Sequence, residues 1–400
     1  MSGLLEVASR HVDEIAAIRR DIHANPELGF EENRTAGIIV SKLQAWGIDV
    51  TDRIAKTGVV GTIRGRRPGT RSIGLRADMD ALAMCELNSF AHASSTPGRM
   101  HACGHDGHTA MLLGAAQVLA ENRDFEGTVH LIFQPAEEGC GGALAMMSDA
   151  LFERFPCDRI FGMHSYPVLP LGKFGIRKNA MMAASGRFQV VFTGSGGHGG
   201  EGPHTSADLS VVAGHFLLGL QTIVGRNVPP METAIISVGH IGAGDPNALN
   251  VIPARLQISG TMRAFTSEVQ RLIESRITAH AETFAQSEGA SAEVKCWWLA
   301  EPLVNDPAAT DSALAAAVDV VGADAVTDDL PRITAGDDFE SMMRVRPGAY
   351  MLIGNGRHEG EGGGNVHTPN YDFNDQALPL GIAYWLSIVN KELDGRMGSA

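Results

Sequence analysis

GTVHLIFQPAEEG, residues 127–139, runs from an apolar stretch directly into two adjacent carboxylates. Residues 127–133 read as a strand, since a short continuous apolar run fits a sheet covered on both faces. Around it the spacing predicts helices over 107–121 and 141–154 and a further strand over 159–164. Earlier in the chain, helical spacing covers 3–22, ended by Pro26, and 33–46, stopped at Gly47. Short β-like runs follow at 58–63 and 72–77. This alternation predicts an α/β layer with a largely parallel sheet. Such folds collect ligands at the C-terminal ends of their strands, which is where Glu137 and Glu138 fall.

The middle of the chain has a different rhythm. A half-exposed strand at 187–193 is followed by a long helix near 206–225 and strands at 233–241 and 256–263. A helix at 267–288 and a strand at 292–298 complete the series. The order β-α-β-β-α-β is that of a ferredoxin-like unit. The α/β pattern then returns, with helices near 309–321 and 375–393 and a strand at 349–353. The expected organisation is a discontinuous α/β domain, 1–184 and 298–400, carrying an inserted α+β domain at 185–297. The Gly-rich stretch 354–364 is expected to be a flexible loop.

Composition narrows the function. The 400 residues hold 32 Lys plus Arg against 46 Asp plus Glu, a formal net charge of −14. Nucleic acid and anionic membranes are therefore not expected as partners, because both need basic patches. With 44% hydrophobic and 20% charged residues the chain can build packed cores. Glycine, 47 residues, shows no collagen-like period and implies many tight loops. The five cysteines, at 85, 103, 140, 157 and 296, form no CxxC pair, so a disulfide framework is not expected. Glu6, Arg10 and Asp13 interrupt the N-terminal apolar residues, and no run of ~18 apolar residues occurs, so no membrane span is expected. A soluble, cytoplasmic protein is the expectation.

The densest chemistry is MHACGHDGHT, residues 100–109, with a thiol and three imidazoles where a loop should meet a helix. Helix capping would account for Asp106 or Thr109 but not for the thiol and the histidines. A metal site does account for them, and the lack of a second Cys/His knuckle favours a catalytic site over a structural one. Of Glu137 and Glu138, whose side chains diverge, one can bind metal while the other shuttles a proton. His164 ends another apolar strand, and His367 follows the Gly-rich loop. Cys103, His105, Glu138, His164 and His367 make five donors, more than one tetrahedral ion requires, so two divalent ions are expected. Thiolate favours zinc, while carboxylate and imidazole also suit manganese, cobalt or nickel.

The sequence resembles the M20 metallopeptidases, in particular their amidohydrolase branch of hippurate hydrolases, N-acyl-amino-acid amidohydrolases and indole-acetyl-amino-acid hydrolases. The likeness runs through RRDIHANPELGFEE (19–32), GLRADMDAL (74–82), GRMHACGHDGHTAMLLGAA (98–116) and GTVHLIFQPAEEG. It continues in GMHSYP (162–167), GGHGG (196–200), NVIP (250–253), GTMRAF (260–265), GDDF (336–339) and NVHTP (365–369). The resemblance implies a zinc-aminopeptidase-like catalytic domain with an inserted lid and dimerisation domain, and a homodimer. It implies Cys103, His105, Glu138, His164 and His367 as metal ligands and Glu137 as general base. His198 would polarise the scissile carbonyl, often from the partner subunit, while Asn250 and Arg263 would hold the substrate carboxylate. Asp78 and Asp80 would support ligands without binding metal themselves. The implied reaction is hydrolysis of N-acyl or N-aroyl amino acids. The alternative is a carboxypeptidase or dipeptidase acting on short peptides.

Overall fold

The computed structural model describes residues 3–356 and 364–398. Most of the Gly-rich loop, 357–363, lies outside the described residues. The chain divides into two compact units. The first comprises Met1–Asn179, Val304–Pro331 and Asp338–Ala400, and the second Ala180–Leu303 and Arg332–Asp337.

An eight-stranded sheet forms the centre of the first unit. Its order is Asp49–Ile54, Gly58–Arg64, Glu126–Gln134, Arg67–Asp78, Arg159–Tyr166, Gly348–Gly354, Phe174–Gly175 and Val326–Thr327. Only the middle four strands form an unbroken parallel set. Antiparallel pairing joins the first two strands, joins Gly58–Arg64 to Glu126–Gln134, and joins Gly348–Gly354 to Phe174–Gly175. The sheet is therefore mixed, which corrects the expectation of a largely parallel one. The cause is local at one edge: Ala55 and Lys56, both at positive φ, turn the chain back on itself and make an antiparallel hairpin.

The helix His105–Glu121 has every residue from His105 to Leu119 buried, so it shows little amphipathic contrast. It packs against the strand Arg67–Asp78 and the helices Val12–Ala24 and Leu378–Glu392. Its left-handed entry residue, Gly104 (φ 93°), permits no side chain: a Cβ there would stand 2.5 Å from Ser165 Oγ and Tyr371 Oη. The predicted N-terminal helix is interrupted, as Gly3–Ala8, a 3-10 turn and Val12–Ala24. The predicted helix 141–154 is likewise split, by Ala150 at positive φ.

The second unit holds a four-stranded antiparallel sheet in the order Ala234–Ala243, Arg255–Ala264, Ala184–Thr193 and Ser291–Ala300. With the helices Leu209–Thr222 and Ser267–Ser287 this is the ferredoxin-like arrangement. Alternation along the strands turns Phe188, Val190, Phe192, Leu256, Ile258 and Met262 toward the helices. Asp208 and Thr266 cap the two helices, accepting from the main-chain N–H of Ser210 and Val269. The segment Leu209–Asn227 is long and apolar enough to cross a membrane by length and composition. Here its Leu209, Val212, Phe216, Leu220 and Ile223 belong to the core of this unit. The segment 332–337 joins the unit through main-chain bonds from Ala183 to Ile333 and Ala335.

Candidate metal centre

Three neighbouring parallel strands end together in the first unit. Asp78 closes one, Gln134 a second, leading into Glu137 and Glu138, and His164 lies near the end of the third. The loop before the His105–Glu121 helix brings Cys103 to the same end. His367 arrives in a left-handed conformation (φ 61°), an uncommon one for a residue with a Cβ, held by its N–H donating to Ala102 O at 2.7 Å. The structure brings all five expected donors together. Cys103 Sγ lies 3.3 Å from His164 Nε2. Ligand atoms of Cys103, Glu138 and His367 all fall within 4.8 Å of one another, as do those of His105, Glu137 and Glu138.

The hydrogen bonds set which nitrogens face inward. His164 Nδ1 donates to Ser165 O at 2.7 Å, which leaves Nε2 with a free lone pair. His105 Nδ1 is bonded to Asp80 Oδ1 at 3.2 Å, and its buried Nε2 finds no hydrogen-bond partner among the described residues. Glu138 Oε1 is also buried and without a hydrogen bond; His367 Nε2 stands 3.0 Å away but outside hydrogen-bond geometry. Buried polar atoms left this way are costly unless something fills the gap. A thiol, imidazoles and carboxylates with their lone pairs converging fit divalent cations.

His108 shows the opposite pattern. Its Nδ1 is bonded to Asp78 Oδ1 at 2.6 Å and its Nε2 accepts the Ser165 N–H at 2.8 Å, so neither nitrogen is free. It ties Asp78 to the strand of His164 and is no ligand, although Asp78, His105, His108 and His164 lie close enough to hold an ion. Asp80 has two tasks at once, fixing the His105 ring and accepting the Glu138 N–H at 2.9 Å. Glu32 holds the same loop from behind: it accepts from Ala136 N at 2.8 Å and Thr57 Oγ1 at 2.6 Å.

Charge follows burial in this cluster. Burial alone would raise the Asp78 carboxyl, but its neighbours His105, Arg76 and His108 hold it well below its ordinary range. Burial pushes the Cys103 thiol well up, partly opposed by His105 and reinforced by Glu138. Burial, and then the neighbouring His108, keeps His164 neutral far below the usual range, as a nitrogen ligand must be. Asp106 does not cap the helix, contrary to the capping alternative for Asp106 or Thr109. It accepts from His23 Nδ1 at 2.8 Å and from the buried Arg19 at 3.4 Å, while Thr109 Oγ1 donates to Asp78 O.

His198, Asn250 and Arg263 all belong to the second unit. His198 is exposed on a two-residue strand paired with Val251 and Ile252, which sets it beside Asn250. Its Nδ1 accepts the main-chain N–H of Gly200 at 3.1 Å and of Glu201 at 2.8 Å. The ring proton is therefore on Nε2, an available donor. Arg263 donates to the carbonyls of Thr334 and Met262.

Comparison with known proteins places this arrangement. Residues 74–391 match the model of peptidase family M20/M25/M40. The chain belongs to peptidase family M20. It is 38% identical to the hippurate hydrolase of Campylobacter jejuni over 380 residues, covering 95% of this chain and 97% of that one. It is also 38% identical to an N-acetyl-L-cysteine deacetylase of Bacillus subtilis, over 93% of this chain and 86% of the relative. A solved dinuclear metal-binding M20 peptidase from Bacillus subtilis superposes with a TM-score of 0.82 at 31% identity, covering 94% of this chain and 97% of that one. The fold is thus the zinc-aminopeptidase-like α/β fold, and this M20 protein is a hydrolase.

Proposed function

We propose that the protein is a metal-dependent amidohydrolase that cleaves N-acyl or N-aroyl amino acids into a carboxylic acid and a free amino acid. The observation that supports this most is the convergence of five donors beside Glu137 at the parallel strand ends. Relatives named for N-acyl amino acid substrates supply the substrate class. Cys103, His105, Glu138, His164 and His367 would hold two divalent ions, of zinc, manganese, cobalt or nickel. When bound, the ions supply Lewis acidity and bring water toward its deprotonated form near neutral pH.

The protein's own groups do the rest. Glu137 accepts the proton of the attacking water as the new C–O bond forms, and returns it to the nitrogen as the C–N bond breaks. His198 Nε2–H donates to the oxygen of the tetrahedral intermediate. Asn250 and Arg263 hold the substrate carboxylate, the guanidinium by paired bonds. The second unit acts as lid and dimerisation domain, its edge strand Ala234–Ala243 being available for pairing about a two-fold axis. The five free cysteines suit the reducing cytoplasm, where the protein would act as a homodimer through this second unit.

The test loads the purified protein with each metal in turn and measures release of amino acid from N-acyl amino acids and from unprotected dipeptides. Glu137→Gln should lower kcat by about 10²–10⁴-fold while metal content is retained. Hydrolysis of dipeptides with no turnover of N-acyl amino acids would replace this reading with a dipeptidase. A variant keeping more than a tenth of the rate would remove Glu137 from its role.

A further inference from the structure

Two arginines share the face of the second unit's sheet that is turned away from its helices. Arg187 lies on the strand Ala184–Thr193 and Arg263 on its neighbour Arg255–Ala264. Register places Arg187 opposite Thr261 and Arg263 opposite Ser185, so the two are diagonal neighbours on one face. Diagonal positions in an antiparallel pair are ~7–8 Å apart, within reach of long side chains. The helix-facing residues next to them in sequence, Phe188 and Met262, are buried in the core.

Among the described residues neither guanidinium is matched by an acid. Arg263 is half-buried and donates only to two main-chain carbonyls, those of Thr334 and Met262. Arg187 is exposed and makes no hydrogen bond or ion pair among the described residues. Burial and then the Arg187 charge hold the Arg263 guanidinium below its ordinary range, with no carboxylate offsetting them. Like charges set side by side without an anion between them destabilise the sheet. An incoming ligand with two carboxylates would relieve both at once, since each guanidinium has unused donors in a fork that fits a carboxylate.

We propose that Arg187 is a specificity-determining residue that binds a second carboxylate, and that this hydrolase favours N-acyl derivatives of glutamate or aspartate over neutral ones. The inference rests on the proposed hydrolase reading, with Arg263 holding the α-carboxylate. It adds the class of side chain on the amino acid that is released.

The experiment compares kcat/KM for N-benzoylglutamate and the near-isosteric N-benzoylglutamine, in which a neutral carboxamide replaces the side-chain carboxylate. The wild-type protein should favour glutamate. Arg187→Gln should reduce the glutamate-over-glutamine ratio by about 10–100-fold, the effect of one lost charge-assisted carboxylate contact. Arg187→Lys should restore part of the ratio, and Arg187→Glu should move the preference toward N-benzoyllysine. A purely structural Arg187 would lower all substrates together and leave the ratio in place. Turnover of N-benzoylglutamine and N-benzoylglycine with no glutamate preference, or an unchanged ratio in Arg187→Gln, overturns the inference and leaves the hydrolase reading standing. No turnover of any N-acyl amino acid fails the hydrolase reading itself. Titration of Glu137→Gln protein with N-benzoylglutamate then decides the Arg187 site alone: tighter binding than N-benzoylglutamine supports it, and equal binding overturns it.

Discussion

His23 should make the first unit less stable as pH rises from neutral toward alkaline. The ring is fully buried between two carboxylates, with Nδ1 2.8 Å from Asp106 and Nε2 3.2 Å from Glu86. Burial by itself would favour the neutral ring. The Asp106 charge and its hydrogen bond, with that of Glu86, outweigh burial and raise the pKa from 6.5 to about 9. A group protonated more readily in the folded state stabilises it fully below its unfolded pKa, and that contribution is lost as pH climbs through the folded pKa. The window is therefore pH 6.5 to about 9. At ~1.36 kcal/mol per pH unit, the stabilisation at stake is on the order of 3 kcal/mol. Urea unfolding between pH 6 and 9.5, followed for wild type and His23→Gln through the change at the buried Trp385, measures it. The stability gap between the two proteins should close by about that amount across the window. A gap that stays constant with pH, or widens upward, would show that the ring is neutral in the folded protein and refute the charge assignment.

Asp80→Ala should weaken metal binding by about 10–100-fold, because it frees both the His105 ring and the Glu138 main chain that Asp80 now aligns. Competition against a chromophoric chelator reads this directly, and an affinity within twofold of wild type would refute the alignment argument. Mixing inactive Glu137→Gln with inactive His198→Ala protein tests whether subunits share sites: random exchange should restore up to about a quarter of wild-type activity if His198 serves its partner. No recovery after demonstrated subunit exchange would confine His198 to its own chain.

The donors were legible because the chain places each at the end of an apolar run or against a glycine. Cys103 and His105 flank Gly104, Glu138 follows a buried strand, and His164 lies near the end of one. What was not legible is the wiring between distant segments. In MHACGHDGHT the three imidazoles look equivalent, yet His105 keeps a free nitrogen, His108 has both nitrogens bonded, and His101 is buried with neither nitrogen hydrogen-bonded among the described residues. The difference arises from Asp80, Asp78 and Ser165, which lie 25 to 57 residues away in sequence. Periodicity carries no record of such pairs, since it reports only which face of an element is buried. The same limit hid one mixed edge of the large sheet, set by a two-residue turn, and the recruitment of residues 332–337 to the second unit, in which main-chain bonds from Ala183 take part. Main-chain pairing needs no particular side chain, so it leaves little trace in residue type. Arg187 belongs to this class as well: in RFQVVFT it reads as one exposed residue of a half-buried strand. Only the register that sets it diagonal to Arg263 turns two ordinary surface charges into a pair lacking an anion. In the proposed specificity, preference for the released amino acid lies in cross-strand geometry, and the charge of residue 187 is the variable that changes it without touching the proposed metal ligands.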